Sequence, residues 1–243
     1  KELLEQDCVI SLSKMKTHAL ERITGAVKNS YGFVYGFHKA KGHTQYPSAD
    51  SFARMLIDLN KCVAPKLYVM DGIVAMEGNG PGSGDPVPMN VLLMSTDPVA
   101  LDSVFSRLVY LKPEMVPTNY HGEKMGLGTW KEEEITLLTP DGEISMAEAV
   151  KKYGNPAFNV DRTEVRKNIW TRMAGALNIF QKKPYIEADK CVRCGICVQS
   201  CPVPGKAVDF RKGKGKPPVY DYRKCIRCFC CQEMCPKKAI KVK

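Results

Sequence analysis

Cys191-Val192-Arg193-Cys194-Gly195-Ile196-Cys197-Val198-Gln199-Ser200-Cys201-Pro202 spells C-x2-C-x2-C-x3-C-P. Cys225, Cys228, Cys231 and Cys235-Pro236 spell the same pattern again, with every matched cysteine displaced by 34 residues. The flanks match too, with Asp189-Lys190 before the first run and Arg223-Lys224 before the second, so the segment is an internal duplication. Nine of the eleven cysteines fall between Cys191 and Cys235, leaving Cys8 and Cys62 elsewhere. The charge is equally lopsided. Residues 181–243 hold 16 Lys+Arg against 5 Asp+Glu, whereas residues 1–180 hold 20 against 21, so the net +10 of the 243-residue chain resides in its last quarter. Two compositions predict two domains, with the boundary near Gln181 to Pro184.

The cysteine spacing has a physical reading. Three thiolates on one tight loop can grip three irons of a cubane, and a fourth set before proline is carried by a short helix to the other cluster. On this spacing cluster I uses Cys191, Cys194, Cys197 and Cys235, and cluster II uses Cys225, Cys228, Cys231 and Cys201. Disulfides suit small secreted domains, and zinc sites favour paired C-x2-C knuckles over four-cysteine runs ending in proline. Exchanging Cys230 for Cys231 breaks both the x2 and the x3 spacing, so Cys230 reads as a small apolar filler. Cys8 and Cys62 read as core residues. The segment is similar to the bacterial two-cluster ferredoxins. That resemblance implies a small α+β domain with two [4Fe–4S] clusters and a role in electron transfer.

Eight thiolates and two oxidised cluster cores leave this domain at about +7. Arg211, Lys212, Lys214 and Lys216 crowd the segment between the two runs. Such a surface predicts an acidic redox partner of the ferredoxin or flavodoxin type. Only Phe210 and Tyr220 flank the basic run, a poor stacking platform, so nucleic acid is not the expected partner. No run of 18 apolar residues occurs, and the first residues lack a signal-like apolar stretch. The expectation is a cytoplasmic protein without a membrane span.

Ahead of the duplication the chain alternates strand and helix patterns, which predicts an α/β layer with a mixed or mostly parallel sheet. Asp7 to Ser13 reads as a buried strand, and Leu20, Ile23 and Val27 recur at helical spacing with Gly32 as a stop. Ser48 or Ser51 caps a helix bearing Phe52, Met55, Leu56 and Leu59. Lys66 to Met70 reads as a strand ending at Asp71-Gly72, and Glu77 to Pro88 as a Gly/Pro-rich loop before a strand at Val91 to Met94. Asp97-Pro98 opens another helix. Glu134 to Thr139 is a further strand, turning at Pro140-Asp141-Gly142. Asp161 to Phe180 has helical spacing, so residues 1–180 are assigned to the α/β domain with 161–180 as a joining helix, and 181–243 to the ferredoxin-like domain.

Lys14, Lys16 and His18 fall where the first strand is expected to end, the usual place for ligand contacts in open α/β sheets. With Lys28 and Asn29 they would form an anion pocket, or else a solvated basic turn. Asp71, Glu77, Asp97 and Asp102 are candidates for a metal or a general acid–base role, although Asp97 also suits a helix cap. Neither the phosphate-loop pattern nor G-x-G-x-x-G after a strand occurs, and His18, His38, His43 and His121 lack zincin spacing. The segments S-L-S-K-M-K-T-H-A-L-x-x-I-T-G-A-V-K-N, D-G-I-V-A-M-E-G-N-G-P-G-S-G and S-T-D-P-V-A-L-D resemble the iron–sulfur-centre proteins of domain of unknown function 362, over about residues 7–130. That resemblance implies that Lys14, Lys16, His18, Lys28, Asn29, Asp71, Glu77, Asp97 and Asp102 belong to shared motifs. It also implies the two-cluster tail, occurrence in anaerobes, and a further N-terminal half that this chain lacks.

Three functions follow as expectations. The first is a redox enzyme or subunit, an oxidoreductase of unassigned substrate, passing single electrons through two [4Fe–4S] clusters to or from a site in the α/β domain. A further metal ion or small anionic ligand in the α/β domain is a candidate on this reading. The second is an electron carrier or adaptor with no catalytic site of its own, and the third a non-redox enzyme with structural clusters.

Overall fold

A computed structural model describes residues 2–35, 37–82, 84–164, 182–211 and 213–242. The helix expected over 161–180 lies almost wholly outside these described residues. The chain divides into two compact units, Lys1–Asp161 and Arg162–Lys243.

The first unit is built on a four-stranded mixed sheet of order β2-β1-β3-β4, comprising β1 (Ile10–His18), β2 (Arg22–Thr24), β3 (Leu67–Glu77) and β4 (Asp85–Ser95). Only the central pair β1–β3 is parallel. The pairs β1–β2 and β3–β4 are antiparallel. In sequence order the helices are α1 (Ala26–Asn29), α2 (Phe37–Gln45), α3 (Ala49–Val63), α4 (Pro98–Leu108), α5 (Pro117–Lys124) and, after the hairpin β5 (Leu137–Thr139) and β6 (Gly142–Ile144), α6 (Met146–Tyr153). The inner sheet face contributes Met15, Met70, Ala75 and Val91 to a core closed by Leu101, Phe105 and Leu108 of α4 and by Phe158. A second core joins α1, α3 and α4 through Val27, Phe52, Leu56, Ile57 and Val99.

Several local signals act as expected. Ser48 caps α3 reciprocally with Ser51, whose N–H donates to Ser48 Oγ at 3.1 Å. Asp97 caps α4, accepting from Val99 N–H at 2.7 Å and Ala100 N–H at 2.9 Å, with Pro98 in the first turn. The Pro140-Asp141-Gly142 turn joins β5 to β6.

Other expectations are corrected. β1 starts later than Asp7 and runs on through Lys14 and Lys16 to His18. The period-2 alternation that buries Ser11 and Ser13 continues through Met15 and Thr17, so the basic residues alternate along the strand and do not follow its end. The helical spacing of Leu20, Ile23 and Val27 yields β2 and the single turn of α1. Arg22 takes a left-handed φ of 65°, and a Cβ at Gly25 would sit 1.9 Å from Asp102 Oδ1, so no continuous helix passes through this segment. β3 does not end at Asp71-Gly72. It passes through an irregularity between Gly72 and Val74 and carries on to Glu77. Cys8 and Cys62 are exposed, not core.

The outer sheet face is the least expected feature. Ile10, Leu12, Ile73, Val74, Leu92 and Met94 are 47% to 72% exposed, although β1 contributes small polar residues to the covered side. The register aligns Leu12 with Val69 and Val69 with Met94 on this face, and Lys14 with Asp71 beside them. Among the described residues nothing covers it. Large exposed apolar patches mark interaction surfaces in soluble proteins.

The loop between β3 and β4 is pinned against the end of β1. Thr17 Oγ1 donates to the Gly78 carbonyl at 3.1 Å, and a Cβ at Gly80 would lie 2.3 Å from the Thr17 carbonyl oxygen. Gly80→Ala therefore forces backbone apart and is expected to destabilise this unit by about 1–3 kcal/mol. Gly32→Ala, where the added methyl meets nothing within 4 Å, is expected to be near neutral. Urea unfolding of the two variants side by side checks the contrast, and equal midpoints would contradict it.

The second unit repeats itself. Helix α7 (Ile196–Gln199) recurs 34 residues later as α8 (Cys230–Glu233), and the left-handed Arg193 (φ 58°) as Arg227 (φ 57°). Four short strands complete it: β7 (Pro184–Ile186), β8 (Val208–Asp209), β9 (Val219–Tyr220) and β10 (Ile240–Val242). Their pairing is swapped between halves. β7 of the first half pairs with β10 of the second, and β8 of the first with β9 of the second, both antiparallel. Among the described residues no helix is long and apolar enough to cross a membrane.

Candidate functional site

The swapped strand pairing decides where the last cysteine of each run goes. Cys235 lies five residues before β10, which is hydrogen-bonded to β7 beside the first run. Cys191, Cys194, Cys197 and Cys235 accordingly line one pocket, together with Ile186, Ile196 and Ile240. Cys201, seven residues before β8, lies close enough to Cys225 to interact with it electrostatically, within one apolar cluster that takes in Cys197, Cys231, Cys235, Val208 and Tyr220. The two halves support these sulfurs alike. Ala207 N–H donates to Cys201 Sγ and Ala239 N–H to Cys235 Sγ, each at 3.3 Å. The second half adds a donor without counterpart, because Tyr220 Oη lies 3.1 Å from Cys231 Sγ. Burial pushes the Tyr220 phenol up, so it remains a proton donor.

The donor set suits a multi-iron group. None of the eleven cysteines is joined to another in a disulfide. Burial pushes the Cys197 thiol up to about 11 and raises Cys225 and Cys231 as well, so bringing these sulfurs together as thiolates requires a bound cation. Cys228 runs the other way: a hydrogen bond from the Cys230 thiol lowers it, and the same bond raises Cys230. Among the described residues no three His, Cys, Asp or Glu groups converge on a single ion. A tetrahedral zinc site holds its sulfurs about 3.8 Å apart, since each Zn–S bond is about 2.3 Å.

The polar residues singled out in the first unit make several separate local contacts, although Asp97 and Asp102 lie close enough to interact electrostatically. Lys14 and Asp71 form an ion pair on the open sheet face, where Asp71 Oδ1 also accepts from Ile73 N–H at 2.9 Å. The hydrogen bond from Lys14 holds the Asp71 carboxyl below its usual range. Lys16, half-buried, lies two residues further along the same strand. His18 is buried, and its Nδ1 accepts from Leu20 N–H at 3.1 Å and Glu21 N–H at 3.0 Å, closing the β1–β2 turn. Lys28 is buried on α1. Asn29 Nδ2 donates to the Leu12 carbonyl at 3.1 Å. Glu77 accepts from Asn159 N–H at 2.8 Å. Asp97 caps α4 and also accepts from Thr129 N–H at 2.9 Å. Asp102, fully buried, accepts from Ala26 N–H at 2.5 Å and Val27 N–H at 3.1 Å and so anchors α1 to α4.

Two residues escaped the sequence reading. Glu21 is fully buried, and among the described residues neither of its carboxylate oxygens accepts a hydrogen bond. Burial raises its carboxyl well above the usual range, opposed by the nearby Lys28. A glutamate in a turn carries no signal of such burial. Tyr220 was discoverable, because the 34-residue offset matches it with Ile186, and the phenol breaks the repeat.

Comparison with known proteins finds matches for both parts of the chain. The domain of unknown function (DUF362) family matches residues 1–107, and a 4Fe-4S dicluster domain matches residues 183–236. A thylakoid-associated protein of Synechocystis sp. is 42% identical over 128 residues, which is 52% of this chain and 40% of that protein. The aligned stretch is thus under half of the relative's length. No solved structure matches the chain. The chain is therefore similar to the domain of unknown function (DUF362) family over residues 1–107 and to a 4Fe-4S dicluster domain over residues 183–236.

Proposed function

We propose that this protein is an electron-transferring subunit of a redox enzyme, relaying single electrons through two [4Fe–4S] clusters to or from a site at its α/β unit. Cys191, Cys194, Cys197 and Cys235 hold cluster I, and Cys225, Cys228, Cys231 and Cys201 hold cluster II. Each bound cluster supplies a one-electron couple, with its sulfurs tuned by hydrogen bonds and burial. The observation that carries the reading is the swapped pairing of β7 with β10 and β8 with β9, which delivers the fourth cysteine of each run to the other half. The external donor or acceptor is an acidic redox protein of the ferredoxin or flavodoxin type, drawn by the cationic surface.

The term subunit reflects the first unit. Lys14, Asp71 and Lys16 lie on an open sheet face, while Asp97, Asp102, Asn29 and Glu77 bond backbone groups. A reacting site at this unit is completed by whatever covers the outer face. The same observation favours a second reading, a carrier that uses the face only to dock a partner. Anaerobic reductive titration of the reconstituted protein tests the electron-transfer reading. Uptake of about two electrons per chain is expected, one for each cluster. Uptake of none overturns the proposal.

A further inference from the structure

The duplicated halves are not equivalent at their surfaces. The 34-residue offset matches Val192 with Ile226, Cys194 with Cys228 and Gly195 with Phe229. In the first half Val192 is 53% exposed and Cys194 is exposed. In the second half Cys228 is 9% exposed and Phe229 is 4% exposed, so a buried ring stands where the first half has no side chain. Of the other sulfurs assigned to the second site, Cys201 and Cys231 are buried and Cys225 is half-buried, whereas the first site has one buried sulfur, Cys197, beside half-buried Cys191 and Cys235. One-electron exchange between proteins falls steeply with the thickness of intervening protein, so the open half is the better port.

Cationic side chains gather at that same half. Arg193 and Lys237 line the pocket of Cys191, Cys194, Cys197 and Cys235. The Arg193 guanidinium donates to the Gly215 carbonyl at 3.2 Å, which fastens the exposed segment bearing Lys214 and Lys216 to the first cysteine loop. Among the described residues Lys214, Lys216 and Lys237 form no ion pair. By contrast Arg211 and Arg223 share Asp221. An exposed apolar residue, Val192, set among unpaired cations has the anatomy of a transient interface with an apolar centre and a polar rim.

We infer that the rim formed by Val192, Lys214, Lys216 and Lys237 is the docking edge for an acidic single-electron carrier protein, so that electrons enter or leave at the first half and not at the second. This rests on the proposed cluster loading. The exchange is balanced as one electron, lost by the reduced carrier and gained by the oxidised cluster, with no bond made or broken. Opposite charges steer the encounter and fix its orientation, an effect that salt removes.

Two charge reversals of equal size test the inference. Lys216→Glu with Lys237→Glu alters the proposed rim, and Arg223→Glu with Lys224→Glu alters the flank of the second run. The probe is an acidic flavodoxin in its hydroquinone form, mixed anaerobically with the reconstituted protein in stopped flow. Binding of the two oxidised proteins is followed in parallel by calorimetry. The rim pair is expected to lose about tenfold or more in both rate constant and affinity at low salt, with the deficit vanishing at high salt. The flank pair is expected to change by less than about threefold. Equal losses in both pairs, or none in either, overturn the inference while photoreduction by a small deazaflavin still reports loaded clusters. Failure of photoreduction in the parent protein overturns the cluster reading itself, and this inference with it.

Discussion

Replacing Cys235 by serine is expected to unload the site built on Cys191, Cys194 and Cys197 and to leave the site built on Cys225, Cys228 and Cys231 intact. The expectation runs against sequence proximity, because Cys235 lies four residues after Cys231 and 38 after Cys197. It follows from β10 pairing with β7, which places Cys235 in the pocket of the first run. The Ala239 N–H bond to its sulfur and the flanking Ile240 hold that position. The mirror variant, Cys201→Ser, is expected to unload the second site. Each variant should retain about half of the parent's iron, since each cluster carries four iron atoms. The two reduced proteins should give different paramagnetic spectra, because Tyr220 donates only to the Cys231 side and Cys194 is exposed where Cys228 is buried. Loss of the second site on replacing Cys235 would show that each run binds its own cluster.

The second large effect concerns the α/β unit. Asp102 is fully buried, and burial raises its carboxyl to about 7 even though the amides of Ala26 and Val27 favour the ionised form. Its folded value lies above the unfolded one of about 3.9, so folding takes up a proton between these two values. The stabilisation is complete below about pH 4 and is lost as pH rises through about 7, at most about 4 kcal/mol in all. Roughly 2 kcal/mol of this falls between pH 5.5 and 8.5. Buried Glu21 acts in the same sense. Exposed carboxylates with depressed values, Asp71 and Glu148 among them, act in the opposite sense. Asp102→Asn abolishes the titration. Its stability deficit against the parent should therefore be larger at pH 5.5 and shrink by about 2 kcal/mol at pH 8.5. Urea unfolding at the two pH values, followed by tryptophan fluorescence, measures it, since Trp130 packs against the core of α1, α3 and α4. A deficit that does not change with pH would mean that Asp102 is ionised in the fold.

The parts of this architecture visible in the sequence share a local cause. Ser48 and Asp97-Pro98 start helices because caps satisfy amides within three residues. The cysteine runs are legible because cluster geometry fixes short spacings, and the duplication carries one half's helix onto the other at the same offset. What was missed depends on partners distant in sequence. Leu20, Ile23 and Val27 satisfy a helical spacing, yet the close approach of Asp102 to Gly25 breaks it from 77 residues away. Ile10 and Leu12 look like core, while Ser11 and Ser13 are the residues covered, so the alternation of β1 was legible and its inward side was not. The basic residues of β1 were placed after the strand for the same reason, since a run of lysines resembles a turn. In the candidate site, the candidate ligand cysteines stand out by their spacing. The separate structural duties of Asp97, Asp102 and Asn29 emerge only once their backbone partners are in view.

Everything proposed for this chain depends on eight cysteine sulfurs holding iron in two groups. The most direct measurement is the iron, acid-labile sulfide and zinc content of anaerobically prepared protein, with electron paramagnetic resonance after reduction. Two cubanes predict about eight iron and about eight sulfide per chain, with reduced-cluster signals and no stoichiometric zinc. Zinc in place of iron, or sulfurs joined as disulfides with no labile sulfide, would contradict the account.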